Sequence, residues 1–152
     1  METNFNETQV LVIEDTLAKE EVLEKMANVL KEKGFVKDSY LSAILEREKI
    51  YPTGLENESI HVAIPHCDIA NVNHAALCVG VLKQPIKFAK MDDPDTNIDV
   101  SLIIMMALTE PHGHIEMLQK IIALIQDQEL LEKVITATEP SVVYDLTKDK
   151  LL

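Results

Sequence analysis

"DVSLIIMMAL", residues 99–108, is apolar almost from end to end, with one charged residue at its start. A strand covered on one face only alternates apolar with polar positions, so a run without alternation suits a central strand with a layer packed on each side. The flanking sequence offers the partners such a strand needs. "VLVI" (10–13), "HVAI" (61–64), "AALCVGVL" (75–82) and "IKFA" (86–89) are further strand candidates, separated by clusters of Pro, Asn and Asp.

Helices lie on either side of this run of strands. Asp15 and Thr16 offer capping oxygens to a helix whose Leu17, Val22, Leu23, Met26, Val29 and Leu30 recur at helical spacing, with Gly34 as its stop. A second helix is predicted from Asp38, burying Leu41, Ile44 and Leu45, until Pro52, Thr53 and Gly54 break it. From Pro111 onward Ile115, Leu118, Ile121, Ile122 and Ile125 mark an amphipathic helix, followed by shorter ones over 130–135 and from 138–140 to Leu146. The expected architecture is α/β: a layered sandwich, its mixed β-sheet flanked by helices, in a single domain spanning residues 1–152.

Composition narrows the function classes. The chain has 152 residues, 47% of them hydrophobic, enough for a substantial core. Its net charge of -12 argues against attraction to a nucleic-acid backbone or an anionic membrane surface. "METNFNETQVLVIEDT" has no basic region leading into an apolar core, and no later apolar run approaches membrane-spanning length, so a cytoplasmic location is expected. Cys67 and Cys78 form no CxxC pair and are read as free thiols.

The candidate chemistry gathers around "TGLENESIHVAIPHCDI", residues 53–69. Pro65 fixes its own φ and pushes Ile64 towards extended geometry, presenting His66 where strand gives way to loop. Strand ends are where α/β proteins place their sites, although a lone histidine also serves to satisfy a loop carbonyl. Zinc ligation by His61, His66, Cys67, His74 and Cys78 is disfavoured by spacing, because neighbouring residues of a strand point to opposite faces. No GxSxG elbow, GxxxxGK[ST] loop or GxGxxG turn is present.

Arg47, "PTG" at 52–54, "VAIPHC" at 62–67 and "HIEMLQKI" at 114–121 together resemble the EIIA component of the fructose/mannitol class of the bacterial phosphoenolpyruvate-dependent sugar phosphotransferase system. The resemblance runs nearly end to end. The wording "REKIYPTG", the loop "LENESIH" and "IPHCDI" are most similar to its galactitol-type branch. It implies that His66 is phosphorylated by the phosphocarrier HPr and hands the phosphoryl group to a cysteine of an EIIB component, which works with a membrane EIIC to take up and phosphorylate a sugar or polyol. No cofactor or metal is needed for this transfer.

The same resemblance makes His114 the second active-site histidine, although "PHGH" leaves His112 as an alternative. A neutral imidazole is a competent nucleophile, and Arg47 offers a fork of donors for phosphoryl charge. Taken alone, Arg47 in Glu46-Arg47-Glu48 also reads as a solvated helix end. Thr53 and Gly54 are assigned a shared role as turn and phosphate contact. Two other readings stay open: a regulatory EIIA-like module that signals through its phosphorylation state, and a zinc-binding module.

Overall fold

The computed structural model describes residues 3–111 and 113–152, which hold five strands and five α-helices, two of the helices following the first strand and three following the last. The strands are β1 (Val10–Ile13), β2 (Gly54–Leu55), β3 (His61–Ala63), β4 (Ala76–Ala89) and β5 (Asn97–Ala107). The helices are α1 (Lys19–Glu32), α2 (Tyr40–Ile50), α3 (Gly113–Gln126), α4 (Gln128–Thr136) and α5 (Pro140–Leu151).

One mixed sheet runs in the order β1-β4-β5-β3-β2, with β1 parallel to β4 and β3 parallel to β5, while β4/β5 and β2/β3 are antiparallel. The strand read from "DVSLIIMMAL" therefore lies at the centre. Its side chains divide between two cores: Ile103, Met105 and Ala107 pack with α1 and α2, while Leu102, Ile104 and Met106 pack with α3, α4 and α5. From Leu102 to Ala107 both faces of β5 are buried, which is why that stretch shows no alternation.

Several boundaries differ from the sequence pattern for physical reasons. The segments 75–82 and 86–89 are one strand, not two. Between the pairs Val81–Leu102 and Ile86–Val100, five steps along β4 meet two along β5, and Pro85, with no N–H to donate, sits in that irregularity. Lys83 at the same place donates to the carbonyls of Ile135 (2.7 Å) and Ala137 (2.6 Å), tying the bulge to the end of α4. α1 begins after Ala18 and not at Asp15 or Thr16, because the helix supplies its own cap: Glu21 Oε1 accepts from Ala18 N at 3.1 Å. It ends where expected, at Gly34 with φ +80.

The inward faces of α2 and α3 are also rotated from the predicted ones. α2 starts at Tyr40 and not Asp38, and buries Tyr40, Ile44 and Glu48 at i, i+4 and i+8, leaving Leu41 and Leu45 only partly covered. α3 buries Met117, Ile121, Leu124 and Ile125, leaving Ile115 and Ile122 exposed. α5 continues past Leu146 to Leu151, which is fully buried.

Gly54 in β2 is required by a close approach. A Cβ there would lie 2.6 Å from the backbone carbonyl oxygen of Ala89, which cannot swing aside as a side chain would. Gly54→Ala is therefore expected to cost about 1–3 kcal/mol through forced displacement of the edge strand. Chemical denaturation checks this as a lowered midpoint with an unchanged m-value; an unchanged midpoint contradicts it.

Candidate active site

β3 and β5 run parallel, so both end at the same side of the sheet, beside the N-terminus of α3. Beyond β3 the chain stays attached to β5 through Met106 N donating to the Pro65 carbonyl at 2.9 Å. His66 follows, half-buried, in a cleft of about 470 Å³ shared with Arg47, Cys67, Asp68, Ile69, Leu108, Glu110 and His114. The structure thus brings together three of the residues singled out in the sequence: Arg47 from α2, His66 from the end of β3 and His114 from the first turn of α3.

The hydrogen bond at His66 fixes its chemistry. Nδ1 lies 2.8 Å from the Ile64 carbonyl, which can only accept, so Nδ1 carries the ring proton and the lone pair is on Nε2. The loop-carbonyl bond thus uses one ring nitrogen and leaves the other free. His114 lies against it, with ring centroids 4.4 Å apart and planes inclined by 52°. His112, the alternative second histidine, lies outside the described residues.

Burial holds the pKa of His66 below the ordinary histidine value; the Ile64 bond is the next effect and opposes it, while His114 and Arg47 each add a smaller downward push. The imidazole is therefore neutral and nucleophilic across the physiological range. A depressed folded pKa also means that the unfolded chain takes up its proton first. Stability is lost as pH falls from about 6.5 towards the folded value. An NMR titration of the His66 ring is expected to show its midpoint below about 6.5; a midpoint at or above that value contradicts the arrangement.

Arg47 is held loosely at its tip. Its Nη1 lies 4.0 Å from Asp68 Oδ1, and its guanidinium carbon lies 5.2 Å from the centroid of the Tyr51 ring. Its Nε is buried and has no hydrogen-bond partner among the described residues. A buried N–H left without an acceptor is unfavourable, so the resting guanidinium is incompletely satisfied. Cys67 has no such role: burial pushes its thiol up to about 11, and it packs against the core on the α1/α2 side.

Thr53 and Gly54 are not among the residues lining this cleft. Thr53 is 2% exposed, and both its donors are committed to Glu48: its N–H to Oε2 at 2.9 Å and its hydroxyl to Oε1 at 2.8 Å. In the resting structure both Thr53 donors therefore serve the turn, the structural half of the shared role expected for the pair. Burial raises the Glu48 pKa, while its bonds to Thr53 and the charge of Lys19 oppose that rise. Glu48 escaped the sequence reading because it sits in an apparently solvated Glu-Arg-Glu run. Its i+8 spacing from Tyr40 was the available signal. Asp68 and Glu110 also entered the cleft unpredicted, from loops with no periodic pattern.

Comparison with known proteins gives the family and the fold. The family model described as "Phosphoenolpyruvate-dependent sugar phosphotransferase system, EIIA 2" matches residues 3–150. The galactitol-specific EIIA component of the PTS system of Escherichia coli (strain K12) is 30% identical over 128 residues, 84% of this chain and 85% of that protein. The mannitol-specific phosphotransferase enzyme IIA component of Mycoplasma pneumoniae is 31% identical over 140 residues, covering 88% of this chain and 84% of that one. In fold, the chain is similar to enzyme IIA for mannitol from Escherichia coli, solved in complex with phosphorylated enzyme IIB: TM-score 0.80, 20% identity, 97% of this chain and 99% of that chain. With the family model spanning almost every residue and the sheet order, helices and cleft in place, the chain belongs to the EIIA 2 family of the phosphoenolpyruvate-dependent sugar phosphotransferase system, whose members are phosphotransferase components that carry phosphohistidine.

Proposed function

We propose that residues 1–152 act as one phosphocarrier unit, accepting a phosphoryl group from phospho-HPr on His66 and passing it to a cysteine of an EIIB component. The observation that carries this reading is the His66 ring itself, with its Nε2 lone pair left free by the Nδ1 bond and with Arg47 and His114 beside it. In acceptance, Nε2 attacks phosphorus, a new N–P bond forms, and the bond to the donor breaks with its electron pair leaving on the donor. In onward transfer that N–P bond breaks as an S–P bond forms on EIIB, and the Nδ1 proton stays in place throughout. The protein supplies position and charge compensation, which is what phosphoryl transfer chiefly requires.

Exposed Ile50, Tyr51, Ile69 and Ile115 give the surroundings of the cleft an apolar surface for transient docking, while the acidic remainder steers basic partner surfaces. No described helix is long and apolar enough to cross a membrane, and we assign the chain to the cytoplasm, serving a membrane EIIC through EIIB. A polyol is the favoured cargo of the whole system, with galactitol ahead of mannitol on the wording of residues 47–69. The test is incubation with phosphoenolpyruvate, enzyme I and HPr, followed by intact mass measurement under alkaline conditions. An acid-labile gain of one phosphoryl group is expected, then its loss to a galactitol-type EIIB faster than to a mannitol-type one. No gain in mass would overturn the function, and equal transfer to both would overturn the choice of polyol.

His114→Ala is expected to leave acceptance possible but to destabilise the phosphorylated form, because a hydrogen bond to an ionised group is worth about 1.5–3 kcal/mol. The equilibrium distribution of phosphate between HPr and the variant should shift towards HPr by roughly 10- to 100-fold. His112→Ala is the control, and a larger shift there would move the second-histidine role to His112.

A further inference from the structure

Glu48 is a buried titratable group that the transfer chemistry above does not use. It is 5% exposed, and its two oxygens are bonded to the two donors of a single residue, Thr53. Burying a carboxylate is unfavourable even when it is fully hydrogen-bonded, and an apolar residue filling the same space is often at least as stabilising. Holding one turn in place is a small return on stability alone. What the turn holds is more informative: the Thr53 carbonyl accepts from Ile64 N at 3.3 Å, and the Ile64 carbonyl accepts from His66 Nδ1 at 2.8 Å. An unbroken series of bonds therefore runs from the Glu48 carboxylate to the imidazole.

We propose that Glu48 is a positioning residue for phosphoryl transfer: its carboxylate locks Thr53, which sets the Ile64 peptide and so fixes the ring orientation and Nδ1–H tautomer of His66. The same lock acts on Arg47. Glu48 is its neighbour in the last turn of α2, where Tyr51 N closes on the Arg47 carbonyl at 2.7 Å, so a bond from Glu48 to the following turn also holds the stem of Arg47. One buried carboxylate thus joins the element carrying the charge-compensating group to the strand carrying the nucleophile. The inference rests on the phosphocarrier reading for its kinetic consequences, but its structural content concerns the resting chain alone.

The geometry dictates which variants separate position from mere stability. Glutamine can reproduce both links, because its carbonyl accepts from Thr53 N–H and its amide donates to Oγ1, whereas alanine reproduces neither. The primary readout is the pair of ¹⁵N shifts of the His66 ring in the unphosphorylated protein, which distinguishes a fixed Nδ1–H tautomer from an averaged pair. Glu48→Ala is expected to average the two shifts and to slow acceptance at saturating phospho-HPr by about tenfold or more, with KM within about twofold. Glu48→Gln should keep the fixed tautomer and stay within about threefold of the unsubstituted rate. If Glu48→Ala does not fold, Thr53→Val decides, since it loses the hydroxyl link only; partial averaging and a rate loss of about threefold are expected. A folded Glu48→Ala, or failing that Thr53→Val, with the original tautomer and rate overturns the proposal, as does a Glu48→Gln as impaired as the alanine variant. If the unsubstituted chain takes no phosphoryl group, the proposed function fails, and the ¹⁵N shifts still decide the role of Glu48.

Discussion

Replacing His66 with alanine is expected to abolish phosphoryl acceptance outright and to leave the chain folded. The two halves of that expectation have separate grounds. Acceptance needs a lone pair at one point in space, and Nε2 of His66 is where the cleft provides it, because Nδ1 is committed to the Ile64 carbonyl. Neither neighbour can substitute. Cys67 holds its proton, with its thiol pushed up to about 11, and His114 enters from α3 on the other side of the His66 ring contact. The fold half follows from where the side chain sits. It is only partly buried, and the bond it gives up is one neutral hydrogen bond worth about 1 kcal/mol. The check is intact mass after incubation with enzyme I, HPr and phosphoenolpyruvate, with a thermal melt alongside. A full phosphoryl gain on the variant would move the nucleophile to another residue; a collapsed melt would show that His66 holds the loop as well.

How far the sequence carried this site depends on how local each signal is. β5 was legible because burial on two faces writes itself into a continuous run, and Arg47, His66 and His114 were legible because their order along the chain is a composite motif. β4 was divided in two because Lys83, Gln84 and Pro85 look like a break, and only pairing with β5 shows that a sheet absorbs them. The pairing of Thr53 with Glu48 was hidden for a related reason. A hydroxyl in a Thr-Gly turn suits a phosphate, but its direction was set by Glu48, whose burial follows from which face of α2 meets the sheet. That face was assigned to Leu41, Ile44 and Leu45, when the inward line is Tyr40, Ile44 and Glu48. A rotation of the helix by a fraction of a turn was enough to hide a carboxylate in the core. In α3 the same kind of rotation turned Ile115 outward, next to His114, and gave the cleft an apolar neighbour that the expected stripe would have buried.

The second large effect is expected at Arg47, where lysine should slow phosphoryl transfer on the order of 10²-fold while barely changing the KM for phospho-HPr. The resting geometry explains why the loss falls on the rate. Arg47 Nε is buried without a partner among the described residues, its Nη1 is only 4.0 Å from Asp68, and its plane lies over Tyr51. Such a guanidinium is incompletely satisfied before phosphate arrives and gains its bonds when charge develops on the equatorial oxygens. An interaction that is stronger at the transition state than in the resting complex lowers the barrier and does not simply tighten binding. Lysine keeps the positive charge, but an ammonium is a point donor on a flexible stem. It has no Nε–H at the buried position, no planar fork to span two oxygens, and weaker stacking on Tyr51. The Asp68 contact should survive in part, so any docking that depends on net charge alone is retained. Rapid-quench measurement at saturating phospho-HPr, set beside the concentration dependence, separates the two possibilities. A fall in rate with KM held within about twofold supports charge compensation in the transition state. A rise in KM with an unchanged saturating rate would place Arg47 in the docking surface instead, and the unpartnered Nε would then be a strain of the resting fold with no part in the chemistry.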